Sequence, residues 1–314
     1  MTLRNLLLLL GFILIVFQQF VNSINTEAQF IIFLSGIILI GVPHGAADLL
    51  VASRHADSNK KEFSNLRFFA VYLGRLCLFA AIIWFFPLIG SFLFILFSAY
   101  HFGETDLNQF KTDTFTGKLF VITYGLVILS VLLLHHFDEV KPFIHLFYSG
   151  NENKFLMAWI ELNRFKTISA SVILFFATSF VYFLKNKNTT VNEKGYFLIH
   201  FAFLLLILYS LPLLVGFTFY FVVWHSVLSL NSIIIYLLED KQISQFIIVK
   251  QILIYSTLAI SGIGIFGFTG FMFVNNIAFM GYVILGLAVL TAPHMQIMYD
   301  MYKNLRKNKA RLPN

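Results

Sequence analysis

The sequence contains few charged residues: Asp, Glu, Lys and Arg make up 12% of its 314 residues, against about 25% in soluble globular domains. So little charge excludes an ordinary soluble protein and a disordered chain. The single cysteine, Cys77, excludes an intramolecular disulfide scaffold. The chain is instead 59% hydrophobic and contains 39 phenylalanines, a composition typical of a multi-pass membrane protein.

Long apolar runs divide the chain into segments that can each cross a bilayer, for which a helix needs about 20 residues. Backbone amides in lipid must be hydrogen-bonded within the segment, and no alternating pattern of barrel strands is present, so we expect helices. The sequence therefore predicts an all-α polytopic bundle of about ten spans, forming one integral membrane domain over residues 1–314. The predicted spans are 5–22, 29–51, 68–88, 90–107, 118–137, 167–184, 195–214, 216–238, 246–268 and 274–298.

Lys and Arg residues alternate between the connecting segments. With ten spans, Arg4, the loops 54–67 and 185–194 and the basic tail 301–314 fall on one side, while the short loops opposite contain neither residue. The positive-inside rule then places both termini in the cytoplasm. The net charge of +7 is explained by these loops, so we expect no nucleic-acid partner. The segment 138–166, which mixes aromatic and charged residues, is expected to lie along the outer interface.

Four of the nine histidines lie deep within predicted spans, where a polar side chain is costly and marks a candidate functional site. They lie on spans two, four, eight and ten, which run in the same direction, so their imidazoles could converge on a shared metal ion. The alternative is that each is a hydrogen-bonded core histidine, which we expect for His200. Water can reach His55, His135, His136 and His145. The four deep histidines are His44 in GVPHGAAD, His101 in SAYHFGETD, His225 in FVVWHSVLS and His294 in TAPHMQIMYD.

Three carboxylates lie close to these histidines in sequence. Imidazole ligands suit iron, copper, zinc and nickel, and metal-bound histidines commonly donate their second N–H to a carboxylate. Asp48 and Glu104 are the candidates for this supporting role, although both could also lie in water at cytoplasmic helix ends, as we expect for Asp106. An unpaired charge inside a span is costly, so Arg75 in the third span either extends its guanidinium to the membrane surface or pairs with Asp48 or Glu104, and we expect pairing.

Motifs of other enzyme classes are missing. The sequence contains no GxxxxGKS phosphate loop, no HExxH zinc motif and no GxSxG nucleophile elbow. Histidine-box oxygenases need several HxxxH or HxxHH clusters, and the one doublet, His135-His136, is predicted at the wrong end of its span. A transporter would place polar groups across the full membrane depth, which the motif helices do not. A different membrane metal oxygenase and a non-catalytic metal-binding or transport protein remain alternatives.

Taken in order, PHGAAD, SAYHFGETD, WHSVLS and APHMQIM resemble the Brp/Blh family of bacterial β-carotene 15,15′-dioxygenases, over roughly residues 30–300. The resemblance implies a multi-pass inner-membrane enzyme that uses histidine-bound Fe²⁺ and O₂ to split the central double bond of β-carotene into two retinal molecules. Carried over by motif, His44, His101 and His225 would be iron ligands. Since carotene offers no polar handle, an apolar tunnel would position it. Candidate tunnel walls are Tyr100, Phe102, Phe221 and Trp224, for which bundle packing is the alternative role.

One position departs from the pattern of this family. The family has a second histidine one helical turn after the WH histidine, but here that residue is Ser229. A neutral hydroxyl is a poor substitute for imidazole as an Fe²⁺ ligand. Either His294 completes the ligand set, or three protein ligands and water do so, or this chain has diverged in substrate or lost activity. We expect His294 to be the fourth ligand.

Overall fold

The computed structural model describes the backbone of residues 1–20, 24–147, 152–187, 189–239, 243–273 and 276–309. It describes side chains over the same ranges apart from 143, 145–147, 152–153, 265–273, 276–284 and 309. Helices account for all the regular structure within these ranges, and no strand occurs there, which confirms the predicted all-α class. The α-helices are α1 (Leu3–Phe20), α2 (Thr26–Gly36), α3 (Val42–Ala46), α4 (Asp48–Ser58), α5 (Asn65–Phe85), α6 (Pro87–Asp106), α7 (Phe115–Ser130), α8 (Phe137–Phe147), α9 (Glu152–Lys185), α10 (Val191–Ser210), α11 (Leu213–Thr218), α12 (Val227–Leu238), α13 (Gln245–Phe273) and α14 (Asn276–Lys309).

Among the described residues, nine helical segments are long and apolar enough to cross a membrane. They confirm nine of the predicted spans, although the helix of the sixth span begins well before residue 167 and that of the second continues beyond residue 51. The tenth, 274–298, falls mostly within α14, although residues 274 and 275 lie outside the described part of the chain. The nine segments are Leu3–Phe20, Thr26–Ser58, Asn65–Phe85, Pro87–Asp106, Phe115–His135, Lys154–Lys185, Val191–Ser210, Leu213–Leu238 and Gln245–Gly264.

Three short π-helical segments continue α-helices of the bundle. A π-helix bonds each N–H to the carbonyl five residues earlier, which widens the turn and changes the direction of the side chains that follow. The segments are π1 (Ile37–Gly41), between α2 and α3; π2 (Val131–His135), after α7; and π3 (Phe219–Ser226), between α11 and α12.

Glycines allow α6 and α7 to pack closely at the centre of the bundle. A Cβ atom added to Gly103 would lie 2.1 Å from the backbone oxygen of Val121, and one added to Gly125 would lie 2.0 Å from that of Ala99. No larger residue fits at either point without moving a helix backbone, and small residues at helix contacts are common in membrane bundles for this reason. The contact fixes α6, which carries His101, against α7, most of whose residues are buried.

The segment 138–166 is divided between two helices. Its first part is the separate helix α8, whereas residues from Glu152 onwards are the start of α9, which continues through the sixth span. Ion pairs hold α8 against α9: the ammonium of Lys141 lies 2.8 Å from Glu161, and the guanidinium of Arg164 lies 2.9 Å from Asp138. A helix of 34 residues is longer than the roughly 20 that a span requires, so it can carry these charges beyond the apolar region.

Candidate metal centre

The four deep histidines occupy different local structures. His44 follows Pro43 in α3, the short helix that begins where π1 ends. His225 lies within π3. His101 lies in the last two turns of α6, and His294 follows Pro293 within α14. Two of the four side chains are therefore directed by a π-helical turn, a feature often found at functional sites.

Three of these imidazoles meet at one point. The side-chain nitrogens offered by His44, His101 and His225 all lie within 4.8 Å of one another, and the Nε2 atoms of His101 and His225 are 3.0 Å apart. The three residues are 4%, 2% and 0% exposed. Two nitrogens that bind one ion at about 2.1 Å, at right angles, are about 3 Å apart. The spacing of His101 and His225 therefore suits two ligands of one ion.

His294 lies beside this group and is held by a carboxylate. Its ring centroid is 5.0 Å from that of His44 and 4.9 Å from that of His101, although its nitrogens fall outside the 4.8 Å group. Its Nδ1 is 2.7 Å from Oδ1 of Asp48, and the hydroxyl of Tyr72 donates to Oδ2 of Asp48 at 3.1 Å. Asp48 is therefore bonded to His294, one of the four deep histidines.

Several imidazole nitrogens in the cluster have no hydrogen-bond partner in the described part of the chain. They are Nδ1 of His44, His101 and His225 and Nε2 of His294, all buried. Buried polar atoms are normally hydrogen-bonded, because burial without a partner is costly. With Asp48 accepting from Nδ1, the hydrogen of His294 is placed there, so that Nε2 presents a lone pair. Imidazole nitrogens are the donors that suit a divalent transition metal, and in His101 and His225 it is Nε2, not the unpartnered Nδ1, that faces the neighbouring histidine.

The other two carboxylates differ from expectation. Glu104 is buried, but it accepts hydrogen bonds from Arg306 and Tyr100, both at 3.3 Å, and bonds to no histidine among the described residues. The prediction that Asp106 lies in water is wrong, since this residue is 0% exposed and its carboxylate is bonded to side chains of α7 and π3. Burial follows because α7 and π3 cover the end of α6.

Arg75 does not make the ion pair predicted for it. Its side chain is exposed, while Asp48 pairs with His294 and Glu104 pairs with Arg306. Arg306 lies twelve residues after His294 on the same long helix, so α14 supplies the partners of both Asp48 and Glu104. The sequence pattern gave no sign of this, because α14 continues well beyond its apolar region.

Two of the four aromatic residues proposed as tunnel walls contact the histidine cluster. The ring centroid of Phe102 lies 4.9 Å from that of His225, and the ring centroid of Phe221 lies 5.8 Å from that of His44. Tyr100 instead donates to Glu104, and Trp224 donates its indole N–H to Asp106 at 3.0 Å. Phe102 and Phe221 therefore provide apolar surface beside the cluster.

The remaining histidines lie away from the cluster. Both ring nitrogens of His200 are hydrogen-bonded, to the backbone oxygen of Tyr196 and to Asn5, as expected for a packing histidine. His136 bonds to a backbone oxygen, and His135 stacks on a tyrosine. The side chain of His145 lies outside the described part. Ser229 is fully buried, and its hydroxyl has no hydrogen-bond partner within the described residues.

These features define a class of protein: a polytopic helical membrane protein with a buried cluster of histidines between its spans. The family model described as "Beta-carotene 15,15'-dioxygenase" matches residues 35–302, which contain all four histidines. The chain therefore belongs to this family of carotenoid-cleaving enzymes, and the resemblance found in its motifs is confirmed.

Comparison with individual proteins agrees with this assignment. A curated relative named "Beta-carotene 15,15'-dioxygenase", from an uncultured marine bacterium (66A03), is 25% identical over 282 residues. The match covers 88% of this chain and 95% of the relative, so it extends over most of the bundle. No solved structure matches.

Proposed function

We propose that this chain is an iron-dependent oxygenase that uses O₂ to cleave the central double bond of β-carotene into two retinal molecules. Membership of the family supports the carotenoid substrate class. The observation that carries the proposal is the convergence of His44, His101 and His225 in the interior of a membrane bundle. Imidazoles in an apolar membrane interior are costly, so three of them close together support a role in binding an ion.

The residues of the cluster fit a ferrous ion. The proposed ligands are His44, His101 and His225, with the Nε2 of His294 as a fourth, and the group contains no thiolate. When bound, ferrous iron supplies the redox chemistry that activates O₂. The chain supplies the neutral imidazoles and, through Asp48, a negative charge that partly balances the ion and fixes the orientation of His294.

The substrate is proposed to be held by shape. β-Carotene is a hydrocarbon with no group that can accept or donate a hydrogen bond, so the position of cleavage depends on apolar contacts around the histidines. Phe102 and Phe221 provide such contacts directly beside the cluster. A substrate already dissolved in the bilayer can enter between helices, without a water-filled path.

Production of retinal in living cells tests the proposal. Bacteria that accumulate β-carotene, grown with and without O₂ while expressing the chain, should lose colour and form retinal only in the presence of O₂. His225→Ala should abolish both effects, whereas His55→Ala, which changes a histidine outside the cluster, should keep them. Absence of retinal from well-expressed, iron-loaded protein would contradict the proposal.

A second candidate is an oxygenase of the same mechanism that acts on a different lipid-soluble substrate. Ser229 favours it, because this serine replaces the second histidine of the WHxxxH pattern, four residues after His225, and is fully buried. A different residue at this position changes both the donor set and the shape of the site. Feeding the cells a mixture of carotenoids and analysing all the cleavage products distinguishes the two candidates.

We also propose that both termini lie in the cytoplasm and that the membrane is the bacterial inner membrane. The distribution of Lys and Arg supports this orientation, since the loops 54–67 and 185–194 and the tail after Lys303 all carry positive charge. Cytoplasmic loops of inner-membrane proteins have this excess.

A further inference from the structure

A buried carboxylate at the end of α6 joins the two central histidine segments. Asp106 follows His101 by five residues on the same helix, and it is 0% exposed. A single oxygen, Oδ2, accepts three hydrogen bonds: from Tyr124 at 2.8 Å, from the indole N–H of Trp224 at 3.0 Å and from Tyr220 at 3.4 Å. None of the three donors belongs to α6.

Two of these donors lie on the segment that carries His225. Tyr220 and Trp224 are four residues apart in π3, and His225 follows Trp224 directly. Two anchors on one oxygen restrict both the rotation of π3 about its axis and its distance from α6. The wide turn has a further side-chain bond, since the hydroxyl of Ser226 donates to the backbone oxygen of Phe221 at 2.7 Å.

A π-helical turn needs such support because it is intrinsically rare and survives where side chains hold it. If π3 returned to α-helical geometry, the direction of His225 would change by a large part of a turn relative to α6. The distance of 3.0 Å between Nε2 of His101 and of His225 would then be lost.

We propose that Asp106 is a positioning residue that holds π3 in the conformation in which His225 faces His101. The inference rests on the proposed function only in taking the histidine cluster as a metal site. One helix then supplies both a ligand, His101, and the anchor that orients a second ligand. The effect of Asp106 is on the geometry of metal binding, since the hydrogen bonds of its side chain are to Tyr124, Tyr220 and Trp224 and not to the imidazoles.

Co²⁺ binding tests the proposal, because its visible absorption reports both affinity and coordination geometry without any turnover. Asp106→Ala should weaken Co²⁺ binding about 10-fold or more, within the roughly 10–100-fold effect of residues that orient ligands, and should change the spectrum. Asp106→Asn should recover part of the affinity, since its amide oxygen can replace Oδ2 while the NH₂ group takes the place of Oδ1, which has no partner among the described residues.

Tyr124→Phe is the matched control. It removes one hydrogen bond to the same oxygen, but Tyr124 lies on α7 and not on π3. It should therefore leave the Co²⁺ spectrum unchanged, whereas Trp224→Phe should change it as Asp106→Ala does. A merely structural role would lower thermal stability in all of these variants while the Co²⁺ spectrum of the folded protein stayed the same.

Tryptophan fluorescence provides a second measurement. Trp84 and Trp159 are 75% and 50% exposed, whereas Trp224 is 1% exposed. With the first two changed to Phe, the emission of Trp224 alone should shift when Asp106→Asn or Asp106→Ala is added, and its quenching by bound Co²⁺ should change.

Unchanged Co²⁺ affinity and spectrum in Asp106→Ala, or in Asp106→Asn and Trp224→Phe if the alanine variant does not fold, would overturn the proposal. Failure of the proposed function gives a different result. The wild-type protein would bind Co²⁺ and these variants would bind it more weakly, but the wild-type protein would form no retinal. Absence of metal binding by the wild-type protein would overturn both.

Discussion

Asp48 orients His294, and its removal should weaken iron binding. The carboxylate lies 2.7 Å from Nδ1 of His294, and both side chains are almost fully buried, with 5% and 9% of their surface exposed. Without Asp48, the hydrogen on His294 is free to move to Nε2, which would remove the lone pair directed towards the other histidines. The buried charge that partly balances the ion is lost as well.

The magnitude follows from the contact. Loss of a partner that orients a metal ligand weakens metal binding about 10–100-fold, which is about 1.4–2.8 kcal/mol. Asp48→Ala should fall near the upper value, because it removes both the charge and the hydrogen-bond acceptor. Asp48→Asn should fall near the lower value, because an amide oxygen can still accept from Nδ1 of His294.

An anaerobic Fe²⁺ titration in competition with a chromogenic chelator, on detergent-purified protein, measures this difference. The matched control is Asp113→Asn, which removes an exposed carboxylate that pairs with Arg306 instead of a histidine and should leave Fe²⁺ affinity unchanged. If Asp48→Ala bound Fe²⁺ as tightly as the wild-type protein, His294 would not be a ligand oriented by Asp48.

Three further predictions concern the bundle. Gly125→Ala should lower the free energy of unfolding by about 1–3 kcal/mol, and with it the melting temperature, because its Cβ would meet a backbone oxygen of α6 at 2.0 Å. Gly195→Ala, which has open space around it, should leave the melting temperature unchanged. In the same assay, Arg306→Ala should lower the free energy of unfolding by about 3–5 kcal/mol, because it leaves the buried carboxylate of Glu104 without its charged partner. Asp113→Ala, at the exposed end of the same network, should lower it by at most about 1 kcal/mol. A reporter active only in the cytoplasm should be active when fused to the C-terminus; activity only of a periplasmic reporter would reverse the proposed orientation.

The all-α class and the convergence of the histidines could be predicted from the sequence. Intramembrane polar residues are so costly that four histidines on spans of the same direction already pointed to a common site. The alternation of charged loops supported the number of spans, and the motifs PHGAAD and SAYHFGETD carried the family resemblance. Each of these signals is local in sequence or depends on composition.

The contacts of the buried acids could not be predicted in this way. Glu104 is paired with Arg306, and Asp106 with Trp224, through contacts that join residues more than a hundred positions apart. Nor does hydrophobic periodicity reveal a π-helical turn, since most residues of π1 and π3 are apolar and show no periodic pattern. The orientation of His225 depends on that turn, so its exact direction required the three-dimensional structure.

The central claim is that the imidazoles of His44, His101 and His225 hold a single iron ion. Iron X-ray absorption on anaerobically loaded protein tests it most directly. The account predicts stoichiometric iron with a nitrogen-rich shell and the outer-shell scattering of several imidazoles, which disappears in the triple alanine variant. An oxygen-only shell, or the same spectrum in that variant, would contradict it.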